Sequence, residues 1–229
     1  MTRAETPPHT GLLGGTFNPI HVAHLRAAED VAEALGLARV IFIPSATPPH
    51  KPPKPGDVMA PAELRLAWTR LAVAGNPRFA VDDLEVVRGG PSYSVETLRI
   101  YGERLSPTRP VFLIGEDALR EIDTWKEPEQ LLDLAHFAVM TRPPLPLRPL
   151  AELLPPGLAG AFEFAPSGER ARHRTAGTWI RRLQITPLDV SASDLRARLR
   201  SGRSVRYLIP DGVREAVLQS GLYAGREAG

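Results

Sequence analysis

The chain has 229 residues, enough to bury a sizeable core as one domain. Hydrophobic residues make up 43% and charged residues 24%. The formal charge is only +2 although the pI is near 9.2, because arginine supplies all basic side chains except Lys51, Lys54 and Lys126. Without cysteine there is neither a disulfide framework nor a thiolate metal site, and no apolar run approaches the roughly 20 residues that span a bilayer. Met1–Thr10 is polar and Pro-rich rather than a signal peptide, so a cytoplasmic protein with no membrane partner is expected.

Thr10–Leu13 reads as a short first strand, and a glycine-rich segment then feeds a helix over Val22–Leu35. That helix carries Val22, Leu25, Ala28, Val31 and Leu35 on one side and ends at Gly36. Arg39–Ile43 is a compact β-branched run, a buried strand by length and type. Pro44–Pro61 is a Pro-rich loop, and loops of that length in compact domains are usually functional or disordered. Ala62–Ala74 returns to helical spacing through Leu64, Ala67, Trp68 and Leu71, and Phe79–Val87 is strand-like. Ser94–Leu105 reads as a helix with Ser94 as N-cap and Thr97 in its first turn. Pro110–Ile114 is a buried strand, followed by Gly115-Glu116-Asp117 and a helix, and His136–Met140 is a further strand. Leu145–Thr178 is irregular and rich in Pro, Gly and Arg, and helices return at Ala192–Arg200 and Asp211–Gln219.

The alternation predicts an α/β fold: a Rossmann-like, doubly wound parallel sheet with helices on both faces, in a single domain over residues 1–229. Flexible ends are expected at 1–9 and 224–229, and an irregular insertion at 145–178. Ligands of such sheets sit at the carboxyl ends of strands, where the Gly14 loop, the Pro44 loop and Gly115-Glu116-Asp117 are expected to converge.

Chemistry concentrates in Gly14-Gly15-Thr16-Phe17-Asn18-Pro19-Ile20-His21-Val22-Ala23-His24-Leu25. Two glycines let the backbone approach a ligand without a Cβ in the way. A helix N-terminus follows, where N–H groups and the dipole favour phosphate. His21 and His24 are three apart and share one helix face. Together these features make a nucleotide phosphate site. Zinc at the histidine pair lacks a third ligand at suitable spacing, so no metal site is assigned. Other segments are plainer alone. Pro48-Pro49-His50-Lys51 is either a solvated loop or a phosphate-reaching lysine, and Ser191-Ala192-Ser193 either a helix cap or a phosphate contact. Thr97 by itself is a helix-start hydroxyl, and Trp125 a core residue.

The first segment resembles the GGTFDPIHxGH signature of the nucleotidyltransferases, which join a nucleoside triphosphate to a phosphate and release pyrophosphate. Asn18 stands where that family usually has Asp, and Ala23 where Gly is common. Val190-Ser191-Ala192-Ser193-Asp194-Leu195-Arg196 resembles ISSTxIR, with Ala192 and Ser193 departing from it, and Val205–Pro210 is similar to VRYLVP. Pro91–Leu98 matches PSYTIDTL, and Phe112–Asp117 with Trp125 matches FIIGxDxLxxLxxW, the pattern of the bacterial adenylyltransferases that act on nicotinate mononucleotide. The likeness runs in family order over almost the whole chain, except about Leu145–Thr186.

The resemblance implies that His21, His24, Lys51 and Arg196 are catalytic and neutralise charge at the α-phosphorus and the leaving pyrophosphate. It implies ATP contacts at Gly14, Gly15, Thr16, Phe17, Gly115, Asp117, Ser191 and Ser193, with Mg²⁺ bridging ATP oxygens through few protein ligands. Around the pyridine ring it implies Tyr93, Ser94, Thr97, Arg142 and Trp125, whose indole face suits an aromatic cation. Rival readings are another acceptor, such as nicotinamide mononucleotide or phosphopantetheine, a regulator that binds nucleotide without turnover, and an RNA-binding module. The last would use Arg170, Arg172, Arg174, Arg181 and Arg182, but with no interleaved aromatic platform these read as a solvated insertion rather than a nucleic-acid surface. The sequence sets no oligomeric state.

Overall fold

Strand β1 (Thr10–Gly15) buries its first four residues and surfaces at its two terminal glycines, running two residues past the expected end. Helix α1 (Val22–Leu35) has its expected bounds, and Gly36 ends it in the left-handed region at φ +61°. Then come β2 (Arg39–Pro44), α2 (Ala62–Val73), β3 (Phe79–Val81), α3 (Leu84–Arg88), α4 (Ser94–Leu105), β4 (Val111–Gly115), α5 (Glu116–Arg120), α6 (Pro128–Leu134) and β5 (His136–Thr141). The chain continues through α7 (Leu150–Leu153), α8 (Pro156–Ala159), β6 (Phe162–Phe164), β7 (Arg170–His173), β8 (Trp179–Gln184), α9 (Ala192–Arg200) and α10 (Asp211–Gln219). The computed structural model describes residues 9–49, 58–142 and 147–224. The expectations for Lys51, for residues 1–8 and for 225–229 lie outside the described residues.

The eight strands form one sheet in the order β3-β2-β1-β4-β5-β8-β7-β6. β1, β4, β5 and β8 pair in parallel, and β6 and β7 add an antiparallel edge. The first five positions are those of a doubly wound nucleotide-binding sheet, with the strand order reversing beside β1.

Two compact units divide the residues. One holds the segment ending at Leu13 with Ala28–Ile41 and Tyr93–Ile185; the other holds Gly14–Ala27, Phe42–Ser92 and the segment from Thr186. The division passes through β1, α1 and β2 themselves. In the first unit, β4 and β5 are buried almost end to end, α4 packs on α6, and α5 packs on β4 and β5. In the second, α2 packs on β3 and α10, and Ala23 joins Val190, Leu195, Val205 and Ile209 in a small core.

Four expectations need correction. Phe79–Val87 is strand only to Val81: Asp83 is the N-cap of α3, and the Asp82 carboxylate before it accepts the Leu84 N–H at 2.8 Å. Ser94 is the first residue of α4 rather than its cap; Tyr93 holds the cap position with extended backbone. In α2 the buried face is Arg65, Leu66, Trp68, Thr69 and Val73, while Leu64 and Leu71 are exposed. The stretch read as irregular holds α7 and α8, each started by proline, and a hairpin turned at Gly168 with φ +70°. The hairpin leaves little periodic signal because its strands are three and four residues long, with Ala171 as the one buried residue of β7. β8 (Trp179–Gln184) lies where the sequence predicts no element.

Candidate active site

The turn after β1 is built on close packing. A Cβ on Gly15 would lie 2.7 Å from Cε1 of Phe17, so the aromatic ring folds back where only glycine leaves room. Phe17 has φ +47°, a conformation that costs a non-glycine residue about 1–3 kcal/mol. Its buried ring meets His24 edge-on at 5.2 Å and Phe42 at 5.9 Å. The side chain thus points inward, leaving the Thr16–Phe17 backbone to line the turn.

His21 and His24 lie face to face, ring centroids 3.7 Å apart with a 30° tilt. The His21 backbone N–H donates to His24 Nδ1 at 3.3 Å, so in the neutral His24 ring the proton sits on Nε2. His21 is buried and His24 half-buried. The start of α1 is already engaged. Val22 N–H donates to the Leu208 carbonyl at 3.1 Å, and the His24 and Leu25 amides turn back to the His21 carbonyl at 3.0 and 3.4 Å. The expectation that the α1 N-terminus itself offers amides to phosphate is therefore revised. What remains for an anion there is the turn backbone and the side chains.

Arg196, buried on α9, donates from Nη1 to the Asn18 carbonyl at 2.7 Å, which brings it to the turn after β1. Ser191 is the N-cap of α9, its Oγ accepting the Asp194 N–H at 3.1 Å and lying 3.1 Å from Ser193 Oγ. The capping role and a polar, exposed Ser193 therefore coexist. Ala23 has a local reason: its methyl fills the cluster formed with Val190, Leu195, Val205 and Ile209, which moors α1 to the C-terminal motif.

Asn18 has one too. Its Nδ2 donates to the Val58 carbonyl at 2.9 Å, and its Oδ1 accepts the Ala60 N–H at 3.1 Å and the Tyr223 hydroxyl. An aspartate offers no donor to Val58. Beside it lies a residue that sequence reasoning missed, Arg65, only 1% exposed. Its Nε donates to the Ala60 carbonyl at 2.9 Å, Nη1 to that of Thr16 at 2.7 Å and Nη2 to that of Ala46 at 2.8 Å. Burial lowers its pKa from the usual arginine value.

The residues expected around a pyridine ring lie in the other unit. Tyr93 and Ser94 open α4, which has no side-chain cap, and the Glu96 and Thr97 amides turn back to the Tyr93 carbonyl at 3.1 and 3.5 Å. Among the described residues nothing accepts from the Ser94 and Val95 amides. Thr97 is buried on the inner face of α4. Trp125 is half-buried, its ring edge-on to Phe112 at 6.4 Å. The adjacent Lys126 lies 4.6 Å over the Tyr93 ring and donates to Glu96 at 2.8 Å, a bond that raises its pKa. Gly115 precedes α5 with extended backbone, while Asp117 and Arg142 are exposed. Among the described residues no three of His, Cys, Asp and Glu gather as a metal cage.

Residues 12–198 match the model of a family described as cytidylyltransferase-like. The chain belongs to this cytidylyltransferase-like family. It is a nucleotidyltransferase by that membership, and its curated relatives narrow the group. A protein of Citrifermentans bemidjiense named "Probable nicotinate-nucleotide adenylyltransferase" is 44% identical over 213 residues, 93% of this chain and 97% of that protein. A Geobacter sulfurreducens protein of the same name is 42% identical over 215 residues, 94% and 98% of the two chains. Among solved structures, the Plasmodium falciparum nicotinic acid mononucleotide adenylyltransferase complexed with NaAD superposes with a TM-score of 0.68 at 14% identity. It covers 94% of this chain and 97% of its own, a likeness of fold. Among the described residues no helix is long and apolar enough to cross a membrane.

Proposed function

We propose that the chain transfers AMP from ATP to nicotinate mononucleotide, giving deamido-NAD and pyrophosphate, in the cytoplasm. The observation that carries the proposal is the phosphate turn joined to its relatives' shared name. His24 is oriented with Nε2–H away from the backbone, beside a glycine turn and a buried arginine, in a family of nucleotidyltransferases.

The acceptor phosphate oxygen attacks the α-phosphorus in line, the bond to the bridging oxygen breaks, and pyrophosphate leaves with the electron pair. No protein nucleophile takes part, so positioning and charge stabilisation carry the rate. His24 donates from Nε2 to the triphosphate, and its stacking on His21 fixes the ring plane. Arg196 and Lys51 offset charge growing on the pyrophosphate. Gly14 and Gly15 let the triphosphate approach β1, and the Thr16 and Phe17 amides and the Ser193 hydroxyl, seated beside the Ser191 cap, hold its oxygens. Mg²⁺, when bound with ATP, neutralises part of that charge. Gly115 and Asp117 are nucleotide contacts, Trp125 stacks on the pyridinium, and Tyr93, Ser94, Thr97 and Arg142 surround its carboxylate. The uncapped start of α4 favours an anion there.

The test is pyrophosphate release by purified protein with ATP, Mg²⁺ and each acceptor separately. Release with nicotinate mononucleotide is expected. Release with phosphopantetheine alone, or with no acceptor tried, contradicts the proposal.

A further inference from the structure

Arg65 is only 1% exposed, and the three hydrogen bonds of its guanidinium all go to main-chain carbonyls. An arginine used only to balance charge would sit on a carboxylate. This one reads backbone instead. Each bond comes from a different guanidinium nitrogen, and each goes to a different stretch: Thr16 in the turn after β1, Ala46 after β2, and Ala60 just before α2. Three donors in one rigid plane fix the relative placement of three loops, a task that the single rotating ammonium of lysine cannot perform.

The Thr16 bond has a geometric consequence. A trans peptide is planar, with its C=O and N–H pointing in opposite directions. Holding the Thr16 carbonyl at 2.7 Å against the guanidinium therefore turns the Phe17 N–H away from it. Among the described residues nothing accepts from that N–H. The same peptide leads into the strained φ of Phe17, a conformation that persists only where its surroundings over-determine it. Arg65 on one side and the Phe17 ring packed on Phe42 and His24 on the other supply that determination.

We propose that Arg65 is a positioning residue for the nucleotide: it holds the Thr16–Phe17 peptide so that the Phe17 N–H faces a phosphate oxygen of ATP. The inference rests on the adenylyl-transfer reading and adds to it a residue that touches no substrate. Its energetic role is selective, because the turn it shapes meets the triphosphate and not the acceptor's pyridine ring.

The experiment compares wild type with Arg65→Lys and Arg65→Gln. For both variants KM for ATP rises at least about tenfold, the scale of losing one well-placed hydrogen bond to a charged ligand, while KM for nicotinate mononucleotide stays within about twofold. In parallel, the ¹⁵N-amide resonance of Phe17 is followed as inorganic pyrophosphate is added. It shifts in the wild type, and the shift is lost in whichever variant gives a cooperative melt. Variants with wild-type KM for ATP, or KM values for both substrates raised together, overturn the inference. So does a wild-type Phe17 amide indifferent to pyrophosphate, a result that needs no variant to fold. Absence of dinucleotide product from wild type would instead overturn the adenylyl-transfer reading.

Discussion

Replacing Asn18 with aspartate, the residue that most of the resembling family carries, should destabilise this protein. Asn18 is 5% exposed and spends its amide nitrogen on the Val58 carbonyl at 2.9 Å. Asn18→Asp at pH 8 removes that donor and sets a carboxylate oxygen against a carbonyl oxygen. A buried acceptor left without its donor costs about 1–3 kcal/mol. Burying the new charge adds a penalty, and the Ala60 N–H and Tyr223 hydroxyl, now bonded to an anion, offset part of it. A net loss of about 1–3 kcal/mol follows, and for a chain of this size that is a fall in Tm of about 2–12 °C. Burial raises the introduced carboxyl above the ordinary carboxylate range, and its protonated form regains a donor for Val58. A raised pKa in the fold means stability that is present at low pH and lost as pH rises, so the penalty relative to wild type shrinks from pH 8 to pH 5. Tyr223→Phe leaves the Ala60 bond in place and costs less, about 0.5–1.5 kcal/mol. Thermal melts followed by circular dichroism at both pH values provide the assay. An unchanged Tm at pH 8, or an equal loss at both pH values, refutes the assignment of the Asn18 amide as a required donor.

His24→Ala lowers turnover about a hundredfold, the scale for one preorganised charge-stabilising donor, with the circular dichroism spectrum unchanged; near-full turnover contradicts its role. Trp125→Ala raises KM for nicotinate and nicotinamide mononucleotides alike, since it removes a stacking surface and no group that tells acid from amide; a change for one alone contradicts stacking. His136 is stacked on Trp179 at 4.5 Å and accepts the Trp179 N–H at 3.2 Å. Burial, then the charges of His9, Arg109 and Arg181, lower its pKa to about 4 from 6.5. The unfolded chain therefore takes up a proton that the folded chain refuses, and stability falls as pH drops from about 6.5 to about 4. His136→Asn, which keeps an acceptor but does not titrate, flattens urea-derived stability over that window, and an unaltered slope contradicts the assignment.

What was legible in the sequence followed from local signals. Gly14-Gly15 before an amphipathic run marked β1 and α1, and compact β-branched runs marked β2 and β4. The α9 and α10 bounds are those expected from the sequence. Errors arose where the local signal was short or misleading. Leu84–Arg88 is apolar enough to pass for strand, and the bond from the Leu84 N–H to Asp82 at its start leaves no pattern of its own in the sequence. The 145–178 stretch carries prolines that start helices rather than prevent them. At the site, motif residues could be named in order, but Arg65 and Tyr223 could not, because their partners lie 49 and 205 residues away and leave no pattern in the chain. For the same reason Asn18 and Ala23 looked like mere departures, whereas Val58 and the Val190–Leu195 cluster explain them.

The central claim is tested most directly by competition. Equal concentrations of nicotinate and nicotinamide mononucleotides are offered with limiting ATP and Mg²⁺, and the two dinucleotide products are separated and counted. On the proposed reading the substrate carboxylate would accept from the Ser94 and Val95 amides and strand no donor of its own, whereas the amide would leave such donors poorly paired at about 1–3 kcal/mol each. The account predicts deamido-NAD as the main product by at least about tenfold. Equal yields would contradict the reading of α4 as the carboxylate site, and absence of both dinucleotides would contradict adenylyl transfer to a pyridine mononucleotide altogether.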